Sequence, residues 1–268
     1  MTTPLLPAWA PIRAPVIGML HAPPLPGAPR CELDLSAIVE FVLRDAELLV
    51  AAGVHGLLLE NFGDVPFYPQ HVPASVVAQM THLAAQVRAR FDLPLGINVL
   101  RNDGRAALAI AHAVGADFIR VNVLCSARVT DQGLIEGIAH DLLRDRVSLG
   151  AQSVRVLADV DVKHSAPLGA ARPIEYEVAD TLERGGADAV IVSGSGTGRP
   201  TDINQFRQAK SAAGDAPVFV GSGVTTATIR DFLPYADGFI VGTAIKVDGV
   251  ATNPVDPARV RALLQALG

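Results

Sequence analysis

The chain has only two cysteines, Cys31 and Cys125, in 268 residues, and no CxxC spacing. That excludes a disulfide framework and a cysteine-based zinc site, and both thiols read as reduced and packed in a cytoplasmic protein. Basic runs are also missing. With a net charge of −5 and no stripe of lysine or arginine, the sequence offers no nucleic-acid surface. A phosphorylated small molecule stays open, because a few local donors suffice to hold one. Long apolar runs are absent too, although half of the residues are hydrophobic and the mean hydropathy is +0.33. One of the least charged stretches, Ala187–Pro200, is broken by Asp188, Arg199 and several glycines. Nothing approaches the roughly 20 apolar residues a membrane-spanning helix needs. No helical pattern carries two histidines at zinc-binding spacing, and no lysine follows a GxxxxG pattern as a P-loop requires.

What is present is a repeating asymmetry. Eight short apolar runs recur: Val16–Leu20, Gly56–Leu59, Leu95–Val99, Phe118–Val123, Val154–Val160, Ala189–Val192, Val218–Val220 and Gly238–Val241. Polar or glycine-rich residues stand at the downstream end of nearly every one. A buried strand has no structural need of polar groups at one end, whereas a barrel of parallel strands with a functional mouth does.

Amphipathic segments at helical period lie between the runs, predicting helices over Leu35–Ala52, Pro73–Phe91, Asp103–Val114, Leu134–Leu149, Ile174–Arg184, Thr201–Ala213, Thr225–Leu233 and Pro257–Leu267. Several are followed by glycine, a natural C-terminal stop. Strand and helix alternate eight times without a composition break marking a second domain. A doubly wound sheet would carry its phosphate glycines after the first strand; here the glycine clusters follow the sixth, seventh and eighth. The expected fold is a single (β/α)8 TIM barrel over residues 16–268, close to the usual size of about 250 residues. Residues 1–15, proline-rich and without the apolar core of a secretory signal, form an N-terminal arm expected to lie loosely over the bottom of the barrel.

Side chains two apart on a strand share a face. That parity points His21, Glu60, Asn98, Arg120, Asn122, Asp159, Asp161 and Lys163 into the barrel axis as a polar ring. Active sites of this fold sit at the same face. The residue types suit acid–base work, with Asp161 or Glu60 as base and His21 or Lys163 as acid or electrostatic stabiliser. Arg120 with Asp159 or Glu60 is equally able to form a buried ion pair that only fills the barrel. Lys163 could form a Schiff base if desolvated, but the nearby Asp161 favours its protonated, electrostatic role. Glu60, Asp159 and Asp161 offer oxygen ligands that suit Mg²⁺ or Mn²⁺; no dedicated metal or cofactor motif appears.

Ser193, Gly194, Ser195 and Gly196 follow the sixth strand, Gly221, Ser222 and Gly223 the seventh, and Gly242 and Thr243 the eighth. Glycine permits close backbone approach and successive exposed N–H groups, and the hydroxyls add donors. Tight turns also want glycine, but clusters at the strands where barrels hold phosphate favour an anionic ligand.

Longer segments carry a family likeness. Val16–His21 with Pro23–Arg30, Glu60–Phe67, Gly96–Asp103, Phe118–Val123, Ala158–Ser165 and Val192–Gly198 resemble the BtpA/SgcQ family over nearly the whole chain from Val16. The resemblance implies the barrel. It also implies, through the family's cyanobacterial namesake, a link to photosystem I biogenesis with peripheral attachment to membranes, although members also occur in organisms without photosynthesis and near sugar-uptake genes. It names no substrate.

Two functions are therefore expected to compete. One is a cytoplasmic enzyme acting on a small phosphorylated metabolite, a sugar or nucleoside phosphate, by isomerase, lyase or glycosidic-cleavage chemistry; a homo-oligomer is compatible with it. The other is a non-catalytic assembly or regulatory factor on an enzyme-like scaffold, with a protein or peripheral membrane partner, for which the proline-rich loop Ala22–Arg30 is the candidate surface. The same loop could equally be a lid.

Overall fold

A computed structural model describes residues 4–194 and 196–268. Eight parallel strands close into a barrel: β1 Val16–His21, β2 Gly56–Glu60, β3 Leu95–Asn98, β4 Phe118–Val121, β7 Arg155–Val160, β9 Ala189–Val192, β10 Val218–Val220 and β11 Gly238–Val241. Neighbours follow chain order, and β1 closes the ring on β11 with Ile17 opposite Ile240. The outer layer is α1 Leu35–Ala52, α2 Ala74–Arg90, α3 Gly104–Val114, α4 Ala139–Ser148, α5 Ile174–Ala179, α6 Ile203–Ala212, α7 Ile229–Phe232 and α8 Pro257–Leu267. Local chemistry sets the ends of these helices. The Asp34 carboxylate accepts the Ala37 N–H at the start of α1, and Gly53 at φ 95° stops it in a left-handed turn that costs glycine little. The helix carries Ile38, Val42 and Leu49 on its buried stripe.

Alternation along the strands builds two cores. Ile17, Met19, Leu58, Phe118, Leu157, Ile191, Phe219 and Ile240 fill the barrel interior, whereas Val16, Leu57, Leu59, Ile119 and Val121 pack under the helices. Each interior residue at the upper layer is followed two positions later by a residue of the mouth, for example Met19 by His21, Leu58 by Glu60, Phe118 by Arg120 and Leu157 by Asp159. The apolar wall thus sets the direction of the polar groups above it.

The described part of the N-terminal arm is not loose. Leu5, Leu6 and Trp9 plug the lower end, with the Trp9 ring 5.8 Å from Phe118 and 6.1 Å from Phe219, and its Nε1–H donating to the His55 carbonyl at 2.7 Å.

Three expected helices differ. Ile174–Arg184 is α-helical only to Ala179 and continues as a wider π-helical turn over Asp180–Arg184. Leu134–Leu149 begins as a strand, because Leu134 belongs to β6 Gly133–Glu136, which pairs with β5 Ala127–Thr130; α4 starts only at Ala139. With β8 Ser165–Pro167 these form a three-stranded antiparallel sheet beside the mouth, built from the β4–α4 and β7–α5 connections. Ile135 from it packs on Val123 and Val162. The Thr225–Leu233 helix shortens to the single turn α7. No described helix is long and apolar enough to cross a membrane.

Candidate active site

The mouth encloses a cavity of about 420 Å³. His21, Glu60, Arg120 and Lys163 line one side of it, and Gly221, Ser222, Gly223, Gly242 and Thr243 line the other. Strand register puts His21 beside Glu60 and Glu60 beside Asn98, so the first three strands deliver one level of side chains.

Beneath the cavity lies a closed hydrogen-bonded frame. Arg120 donates to Asp159 from Nε at 2.9 Å and from Nη2 at 2.8 Å. The Asn122 amide and the Ser193 hydroxyl donate to the same carboxylate at 3.0 and 3.3 Å. Asn98 donates to the Arg120 carbonyl and to Asn122 Oδ1, while its own Oδ1 is buried without a hydrogen-bond partner among the described residues. Asn98, Asn122, Asp159 and Ser193 therefore orient Arg120. Gly221 completes this packing: a Cβ there would lie 2.3 Å from Ile191 and 2.5 Å from the Ser193 hydroxyl.

Above the frame the groups are open. Glu60 is buried and its carboxylate makes no hydrogen bond among the described residues; burial, against the opposing pull of Lys163 and Arg120, holds its pKa above the ordinary carboxylate range. Burial, then the Arg120 charge, brings Lys163 down to about 8. His21 Nδ1 lies 2.8 Å from the Ala251 carbonyl, so that nitrogen carries the proton and Nε2 presents its lone pair 3.9 Å from Glu60 Oε1. The imidazole stacks on Phe62 with ring centroids 4.3 Å apart, and burial together with the Lys246 charge lowers its pKa to about 3. His21 is a neutral imidazole at physiological pH.

Asp161 does not join this group. β7 ends at Val160, and Asp161 adopts φ 50°, which breaks the strand parity and turns its exposed carboxylate toward Arg128 and Gln205, at 3.0 and 3.1 Å. Arg128 also pairs with Glu177, tying the small sheet to α5. Asp161 is thus a tether at the edge of the mouth rather than a cavity residue.

Of the first glycine cluster, Ser193 serves the frame, the Gly194 N–H donates to the Ser222 hydroxyl at 3.1 Å, and Gly196 packs beside His164. Ser195 lies outside the described residues. Gly223 has φ 72°, and a Cβ there would lie 1.9 Å from the Arg199 carbonyl oxygen, so both conformation and space demand glycine.

Thr197, within the glycine-rich segment Ser193–Gly198, also lines the cavity, as do Thr225, Thr226 and Arg259, which neither strand parity nor the glycine clusters single out. Thr225 and Thr226 directly follow the Gly221–Val224 segment and are legible there as added hydroxyls; Arg259 sits on α8 and gives no signal. Neither does the Ala251 carbonyl. No group of three or more His, Cys, Asp or Glu side chains able to hold a metal comes together among the described residues. Of the three carboxylates expected to offer oxygen ligands, Asp159 is committed to its frame, Asp161 points away and Glu60 alone faces the cavity.

A closed eight-stranded parallel barrel with polar side chains and glycine loops gathered at one mouth defines a TIM-barrel protein with a ligand-sized cavity at the usual face. The chain belongs to the BtpA family, whose model matches residues 12–268. A Thermococcus kodakarensis protein is 49% identical over 94% of this chain and 95% of its own length. The photosystem I biogenesis protein BtpA of Synechocystis is 46% identical, covering 94% of this chain and 88% of that one. Among solved structures, orotidine 5'-phosphate decarboxylase from Pyrococcus horikoshii overlays with a TM-score of 0.57 at 15% identity, covering 94% of this chain and 98% of that chain; this likeness concerns the fold.

Proposed function

We propose that the protein is an enzyme acting on a small phosphorylated metabolite by acid–base chemistry. The observation that carries this reading is the division of one cavity: open acid–base groups on the β1, β2 and β4 side, and glycine and hydroxyl loops after β10 and β11. The phosphate would sit against Gly221–Gly223 and Gly242–Thr243, held by backbone N–H groups and the Ser222 and Thr243 hydroxyls. The 5'-phosphate in the decarboxylase's name agrees with such a use of this fold.

Glu60 carries the proton transfer. A buried carboxyl that makes no hydrogen bond and whose pKa is raised by burial holds a proton more readily than an exposed one, which suits a group that must take and return a proton in one turnover. Lys163 and the Arg120 Nη1, which makes no hydrogen bond among the described residues, stabilise negative charge developing on the substrate oxygen. The Asp159 frame keeps Arg120 from reorganising as that charge appears. His21 Nε2 accepts from a substrate hydroxyl. Isomerisation, carbon–carbon cleavage and glycosidic cleavage all use such a set.

The test is a thermal-shift screen of sugar and nucleoside phosphates, followed by turnover of the best binder by wild type and Glu60→Gln. Stabilisation by phosphorylated compounds over their dephosphorylated forms, with turnover lost in Glu60→Gln, supports the reading. No stabilisation by any phosphorylated compound overturns it.

A second reading, an assembly factor, draws on the name of the Synechocystis relative and on apolar side chains exposed on the small sheet, Val129 and Leu134 among them. The open polar cavity favours the enzyme.

A further inference from the structure

The cations near the mouth fall into two kinds, with Arg120, Lys246 and Arg101 buried and Lys163 half-buried at the cavity wall. Arg120 is neutralised by Asp159, and Lys246 by Asp45 at 2.5 Å, with both of those side chains buried. Lys163 and Arg101 have no such partner. Among the described residues neither forms a salt bridge, and the Lys163 ammonium makes no hydrogen bond. Arg101, only 4% exposed, donates from Nη2 to the Lys163 carbonyl at 2.6 Å, which neutralises nothing. The groups that bear on this pair are Glu60, Asp159, Arg120, the imidazoles of His21 and His164 and, at the edge, Asp131. Asp159 is already saturated, and Glu60 is the one carboxylate at the cavity wall among the described residues. A buried cation without a counterion is costly unless something supplies the charge.

We propose that the ligand carries a carboxylate at the Lys163 end of the cavity, opposite its phosphate, so that the substrate class is a phosphorylated carboxylic acid. This rests on the phosphate reading of the glycine wall. With Glu60 ionised, Lys163 and Arg101 leave one positive charge in excess, which a carboxylate balances. A second phosphate dianion would overshoot that balance and face Glu60. Lys163 makes the contact, and Arg101 supports it from behind through its charge and its hold on the Lys163 backbone.

The experiment is titration calorimetry with 3-phosphoglycerate and glycerol 3-phosphate, which share the phosphate ester and differ in the carboxylate. Wild type should prefer 3-phosphoglycerate by about tenfold or more, as one charge-assisted contact supplies. Lys163→Met should abolish the preference by weakening 3-phosphoglycerate about tenfold more than glycerol 3-phosphate, and Lys163→Arg should restore it. The wild-type preference should fade as pH rises through about 8. Equal affinities in wild type, or a preference retained by folded Lys163→Met, overturn the inference. Inorganic phosphate and D-glycerate separate the two readings. If phosphate fails to bind and glycerate binds in a Lys163-dependent way, the phosphate reading falls and the carboxylate subsite stands. If phosphate binds and the preference is absent, the reverse holds. If neither binds, both fall.

Discussion

Arg120 and Asp159, on the neighbouring strands β4 and β7, are joined by two hydrogen bonds of 2.9 and 2.8 Å with both side chains almost wholly buried. The pair closes the barrel interior and fixes the floor of the cavity. Such a pair adds little net stability over apolar packing, but breaking it leaves a charge uncompensated.

Asp159→Ala should therefore cost about 3–5 kcal/mol of folding stability, read by urea denaturation. Glu60→Gln should cost nothing at neutral pH, because the Glu60 carboxylate makes no hydrogen bond to lose. Equal losses in the two variants would mean that Glu60 is structural.

Glu60 also predicts a pH dependence. Its folded pKa lies above its unfolded value, so the unfolded chain ionises first as pH rises. Its contribution is full below the ordinary carboxylate range and is lost as pH rises through the folded value. Melts of wild type and Glu60→Gln across this window should diverge upward in pH, with the variant the more stable. Parallel curves would contradict the assignment.

His21 works in the opposite sense. Its folded value of about 3 lies below the ordinary 6.5, so its contribution is present above 6.5 and is lost as pH falls toward 3. Imidazole NMR signals of His21 should not titrate between pH 7 and about 5. A midpoint near 6.5 would mean that the ring is solvated and not held by Ala251.

These properties are partly legible in the sequence. The interior alternation of Leu58 with Glu60, Phe118 with Arg120 and Leu157 with Asp159 follows from strand parity alone, and α1 and α8 occupy their expected spans. Parity fails where the strand ends. Asp161 sits one residue past β7 at a left-handed φ, which an apolar–polar pattern does not encode. The spacing of Leu134 fits a helix, but pairing with Val129 across a tight hairpin wins. Arg101 escapes a parity argument because it follows its strand rather than lying on it. The Lys246–Asp45 pair joins residues 201 apart, a relation only the closed barrel creates.

That pair gives a further prediction. Asp45 holds the Lys246 ammonium at 2.5 Å and accepts the Val255 N–H at 2.8 Å, anchoring the segment that carries Ala251 onto α1. Asp45→Ala should cost about 3–5 kcal/mol in denaturation. Asp45→Leu combined with Lys246→Met should regain only part, since Val255 stays unpaired. A fully stable Asp45→Ala protein would show that the segment needs no such anchor.

A crystal structure grown with glycerol 3-phosphate tests most directly whether the loops after β10 and β11 seat a phosphate within reach of Glu60 and Lys163. The predicted result is phosphate density within hydrogen-bond distance of the Gly223 and Thr243 backbone N–H groups, with the glycerol carbons running toward Glu60. Density for the phosphate at Lys163 instead, with the glycine loops bare, would contradict it.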